Sequence, residues 1–138
     1  MGLAERRAVK HFQDELLPEL QRRINEAAGF EVPTEIDWDS LSNGSLAPEY
    51  YAETWRQIYF EPLIAGLRDI ARDELGQETL RQHLKRIVIQ NSDQSYSGSS
   101  WSSFDGGTGT LRLDHQLANV GDVAARTEGL IDTLEKSL

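Results

Sequence analysis

The chain has 138 residues and no cysteine, with fourteen Lys and Arg against twenty-three Asp and Glu for a net charge of −9. That length suits a single domain, residues 1–138, because one hydrophobic core most often serves roughly 100–150 residues. The composition excludes disulfides, thiolate metal sites and a cysteine nucleophile, and the charge runs against nucleic acid and anionic membrane surfaces.

The spacing predicts a first helix over about Leu3 to Ala28, with Val9, Phe12, Leu16, Leu20, Ile24 and Ala27 on one stripe. Pro18 interrupts the hydrogen-bond ladder and should bend this helix or mark a restart. Gly29 suits a left-handed cap. From Phe30 to Trp38 apolar and acidic residues alternate, which predicts a strand, and Pro33 puts it at a sheet edge. Ser40 to Ala47 reads as a loop with Asn43-Gly44 at its turn. Pro48 opens a second helical region whose stripe Tyr51, Trp55, Ile58 and Tyr59 is replaced after Pro62 by Leu63, Leu67 and Ile70 on a rotated face, so a break is expected at Glu61-Pro62. That helix should end near Gly76, with a short helix from Glu78 to Lys85 after it.

Ile87-Val88-Ile89 is a compact β-branched run and predicts the second strand. Seven of the twelve residues from Ser92 to Ser103 are serine, which reads as a mobile connection leading into a strand near Trp101 to Phe104. Asp105-Gly106-Gly107 supplies hairpin chemistry, Thr110 to His115 returns as a strand with Leu111 and Leu113 inward, and Asp122 caps a last amphipathic helix. Late hairpin strands between terminal helices predict an α+β, two-layer fold. Its mainly antiparallel sheet of about four strands is covered by the N-terminal, central and C-terminal helices.

The segments Gly29 to Trp38, Tyr59 to Leu80 and Gly109 to Val123 together resemble a group of small bacterial proteins that carry no assigned activity. The resemblance implies a bacterial, cytoplasmic protein of this length. It transfers no functional residue.

No eighteen-residue apolar run occurs, and Met1 to Lys10 is charged rather than leader-like, so no membrane span or secretory signal is expected. Asp37-Trp38-Asp39 followed by Asn43-Gly44 has the outline of a calcium loop. The pattern, however, needs a ligand and a glycine where Leu41 and Ser42 stand. The three histidines, His11, His83 and His115, lack metal spacing, so no metal and no bound cofactor is expected. His115 beside Asp114 is the pair a small hydrolase would use. In a strand, though, the two side chains face opposite ways, and a solvated histidine is the simpler expectation. No serine elbow or phosphate loop is present.

Two binding readings remain. Residues 31–61 carry seven acids against Arg56 alone, a local charge of −6. Glu31, Glu35, Asp37, Asp39, Glu49 and Glu53 would then form a docking face for a basic protein partner. That non-enzymatic interaction domain is the first expectation, and the partner could equally be a second copy in a homodimer. The second is a small-ligand or haem-like cofactor carrier using Tyr51, Trp55, Tyr59 and His115, although an aromatic stripe at helical spacing packs first as core.

Overall fold

The computed structural model describes all 138 residues, Met1–Leu138. The first helical arm comprises α1 (Leu3–His11), a π-turn at Phe12–Leu16 and α2 (Leu17–Ala28), ending on Gly29 at φ 90°. Proline 18 has no N–H and its ring would collide with the carbonyl four residues back. The chain answers by widening one turn before it, where the Leu17 N–H reaches the carbonyl of Phe12, so the helix passes through the proline instead of restarting. The same device recurs in the second arm. There a 3-10 turn at Pro48–Tyr50 leads into α4 (Tyr51–Trp55), a π-turn at Arg56–Phe60 and α5 (Glu61–Ile70), with Glu61 N–H bonded to Arg56 O. One extra residue turns the following face by about 100°. This accounts for the rotated apolar stripe without the break expected at Glu61-Pro62.

The arms lie side by side in the same direction, α1 against α4 and α2 against α5. A bidentate pair from Arg23 to Glu61, 2.8 and 3.0 Å, ties them. At their midpoint the Phe12 ring meets Trp55 edge-on with centroids 5.2 Å apart, and Trp38 and Phe60 complete the cluster. Helix α6 (Glu74–His83) follows a short turn and is capped by Asp73, whose carboxylate accepts from Gly76 N–H. Gly76 therefore sits in the first turn of α6 and not at a helix end. A side chain there would meet the carbonyl of Ile70.

The sheet comprises β1 (Thr34–Ile36), β2 (Arg86–Gln90), β3 (Ser102–Asp105) and β4 (Thr110–Asp114), in the order β1-β2-β4-β3. The α+β class stands as expected, but the sheet is mixed, not mainly antiparallel. β1 with β2 and β2 with β4 are parallel, and only the β3–β4 hairpin is antiparallel. The hairpin signal is local and legible. The insertion of β4 between β2 and β3 depends on pairing across about twenty residues and leaves no local mark.

The period-2 pattern sets the two faces. Ile87, Ile89, Leu111 and Leu113 point inward onto the helices, paired in register, and are fully buried. Glu35, Val88 and Arg112 form one outward rung. No helix covers this outer side. It is tied by polar links, Arg112 to Gln90 and Gln90 to Asp114, where a parallel sheet is usually covered on both faces.

Strand β1 is shorter than the alternating run suggested. The Asp37 carboxylate accepts from Ser40 N–H and turns the chain into a short helix, α3 (Trp38–Leu41), so Trp38 is helical. The last helix, α7 (Val123–Ser137), starts after Asp122 as read, but the Asp122 side chain makes no capping bond. The serine-rich segment is bound to α7. Trp101 Nε1 donates to the Arg126 carbonyl at 2.8 Å, and the backbone at Gly98 passes so close to Gly129 that a Cβ there would overlap it.

Candidate functional site

Because β1, β2 and β4 run parallel, their carboxyl ends lie at one edge of the sheet. In sheets of this kind, loops leaving that edge diverge and bind ligands between them. Here the loops enclose a cleft of about 490 Å³, inside the roughly 300–1,000 Å³ usual for small-ligand sites. One wall is Asn43–Ala47 with Tyr50. The floor is Asn91 and Asp93 beyond β2, and the far wall is Gln116–Ala118 beyond β4.

Each wall is pinned. Asn91 N–H donates to Ser40 Oγ, whose own hydroxyl is donated to Asp37 O, and Asp37 N–H donates to Ile89 O. This stitches the end of β1 to the end of β2. Asp93 sits at φ 66°, a left-handed conformation that Asp tolerates better than most residues. It is held by its N–H on Asn91 Oδ1 and its carbonyl on Gln116 Nε2. Asp114, at the end of β4, accepts from Ser92 N–H, Ser92 Oγ and Gln90 Nε2. Burial pushes its carboxyl up, but those hydrogen bonds and the nearby Arg112 outweigh burial and hold it below the usual carboxylate range.

None of the four aromatic or histidine candidates lines this cleft; they secure its walls. Tyr51 Oη donates to Ser42 O and Trp55 Nε1 to Leu41 O, both at 3.2 Å, immediately before the Asn43–Ala47 wall. Tyr59 Oη donates to His115 O at 2.5 Å, immediately before Gln116. The rings of Tyr51 and Trp55 stack at 4.7 Å within the core, and no surface cleft reaches Trp55 or Tyr59. A flat, haem-sized cofactor has no room beside them in this arrangement.

His115 is fully buried, not solvated. Its Nδ1–H donates to Gln116 O at 2.6 Å, and its Nε2 meets no partner. Burial pushes its pKa down, and the neighbouring Arg126 adds to that. Arg126 is the residue that sequence reasoning missed. It stands four and eight residues before Leu130 and Leu134, on the core stripe of α7, and is itself fully buried. No carboxylate pairs with it. Its guanidinium donates to three backbone carbonyls, Asn119 O, Val120 O and Gln57 O, and burial lowers its pKa. Arg126 thereby clamps the 115–122 loop from behind.

Of the acidic candidates, Glu35 faces Arg86 at 3.4 Å and Asp37 serves as the α3 cap. Glu31, Asp39, Glu49 and Glu53 are exposed and form no ion pair. They do not line the cleft. Asp114 and His115 are directed apart, each committed to its own bonds, and form no acid–base pair. No cluster of three or more potential metal ligands occurs, and no helix is long and apolar enough to cross a membrane. Compared with known proteins, the chain matches no family model, no curated protein and no solved structure.

Proposed function

We propose that this protein is a binding domain whose site is the cleft at the carboxyl ends of β2 and β4, taking a small polar ligand. One observation carries the reading. Asn91 lines the cleft at 9% exposure, and its Oδ1 is committed to Asp93 N–H while its amide nitrogen donates to no protein atom. That nitrogen is open to the cleft and not sealed in the interior, a free donor available to a ligand. The pinned walls support the reading too, since a preformed site spends less of its binding free energy on ordering loops. The test is a small-molecule thermal-shift screen run on the wild type beside Ala118→Trp, which places an indole in the cleft from an exposed position. A ligand that raises the Tm of the wild type and not of the variant supports the cleft. Equal shifts in both would end this reading.

A second reading is favoured by the unpaired carboxylates Glu31, Asp39, Glu49 and Glu53, which keep the long-range field of the 31–61 segment negative and suit a basic protein partner in the cytoplasm. Reversing these four to lysine spares the Asp37 cap and the Glu35–Arg86 pair. A partner captured by the wild type should be lost from the reversed chain; retention would remove this reading and leave the cleft untouched.

A further inference from the structure

The free donors and acceptors of the cleft narrow its ligand beyond "small and polar". Resting on the cleft reading above, we infer that the cleft binds a neutral polyhydroxylated ligand, a saccharide unit. The lining contains no Lys, Arg or His, and Asp93 is its one charged residue. With a net charge of −9 on the chain, the cleft repels phosphate and carboxylate ligands. A pure cation would satisfy Asp93 but fails at Asn91, because guanidinium and ammonium groups carry donors only. Either would leave the Asn91 amide nitrogen both covered and unpaired, which costs more than the bond itself is worth.

The occupant must therefore accept at Asn91 and donate at Asp93. The far wall adds a further requirement. Gln116 Nε2 places one N–H on the Asp93 carbonyl, which leaves its second N–H and its Oε1 without a protein partner, one donor and one acceptor. Hydroxyl groups meet all three needs, since each donates once and accepts through its lone pairs. Tyr50, 56% exposed at the rim, completes the match with a flat apolar surface for the C–H face of a sugar ring. The cleft's 490 Å³ accommodates such a ring with its hydroxyls.

The test uses the ¹⁵N-labelled full chain and amide NMR titrations with D-glucose, D-galactose, N-acetyl-D-glucosamine and maltose, and separately with arginine, spermidine, inorganic phosphate and triglycine. At least one saccharide should shift the side-chain amides of Asn91 and Gln116 and the backbone amides of Asp93 and Leu117, saturably. Asn91→Asp keeps an oxygen for Asp93 N–H but removes the free donor. It should weaken saccharide binding about tenfold or more. Tyr50→Ala, at an exposed position, should weaken it several-fold with the rest of the spectrum unchanged. Saturable shifts at the cleft from arginine, spermidine, phosphate or triglycine, with none from the saccharides, would overturn the polyhydroxyl assignment while keeping the cleft as a site. No cleft shift from any of the eight probes would overturn both.

Discussion

His115 and Gln116 are adjacent in the chain and face opposite ways, and the two polar regions they belong to are built on opposite terms. Inward, Tyr59, Trp101, His115 and Arg126 direct their donors at backbone carbonyls, those of His115, Arg126, Gln116, Asn119, Val120 and Gln57. Every link ends on main chain, so the cluster fixes loops. Outward, the side chains of Asn91 and Gln116 each make one bond, both to the Asp93 backbone. The Asn91 amide nitrogen, the Asp93 carboxylate and Gln116 Oε1 have no protein partner, and all three residues line the cleft. The contrast teaches that polarity alone does not mark a site. What separates structural from binding groups is whether their free polar atoms are sealed in the core, as His115 Nε2 and Arg126 Nε are, or open to a cleft, as the Asn91 amide nitrogen is.

The sharpest way to break the comparison is to remove the inner clamp. Arg126→Met keeps the apolar stem but leaves three carbonyls without their donor, each worth about 1–3 kcal/mol when buried. Urea unfolding should show a loss of about 3–5 kcal/mol. A neutral or stabilising result would mean that the 115–122 loop is held by something else.

Acidification probes the same cluster more gently. His115 is neutral in the folded chain, with its pKa below the ordinary value of about 6.5, whereas the unfolded chain takes up the proton near that value. The stability it contributes is therefore complete above about pH 6.5. It is lost as the pH falls toward the folded pKa, by at most about 1.4 kcal/mol per pH unit. Asp114 and Glu61, both held below the usual carboxylate range, keep their contributions until the pH drops under about 4. Denaturation midpoints recorded from pH 7.5 to 5 should decline in the wild type and stay flat in His115→Asn. A parallel decline in both would clear His115 of the effect.

Asn91→Asp should change stability by less than about 1 kcal/mol, because the internal bond to Asp93 N–H survives. A larger loss would place Asn91 with the inner, structural set. Asp93→Gly should have the smallest effect and the opposite sign. Glycine takes φ 66° freely, so a gain of up to about 1 kcal/mol is expected in thermal melts, together with weaker ligand binding. A destabilised variant would show that the Asp93 carboxylate contributes to the fold after all.

Much of this molecule could be read from residue order. Helical spacing locates the two arms and α7, a compact β-branched run locates β2, the hairpin turn with Leu111 and Leu113 inward locates β4, and Pro33 places β1 at an edge. The misreadings have local causes. Trp38 continued the alternating pattern, but the Asp37 cap outweighed it. Gly76 resembled a stop, yet it was selected for closeness to the Ile70 carbonyl. The rotated stripe after Pro62 looked like a break because a π-turn turns the face without interrupting the helix. The site was less legible. Asn91 and Gln116 are ordinary polar residues whose only distinction is standing just past two strand ends, and that matters only once the strands are known to be parallel. Arg126 was visible in principle, as a cation on the Leu130–Leu134 stripe. The aromatic residues drew attention for their chemistry, and their part proved to be holding the walls.

The strand order also has a consequence for how the protein comes into being. The middle of the sheet is made by β4, which lies between β2 and β3 yet follows both along the chain. A ribosome that has released everything up to residue 105 has made three of the four strands, and only β1 and β2 have a neighbour to join. Until Thr110–Asp114 emerges, β2 offers an unpaired edge flanked by Ile87 and Ile89, the kind of surface that recruits stray strands. Closing the sheet thus waits for Thr110–Asp114, and the cleft, whose far wall follows β4 directly, cannot exist before it.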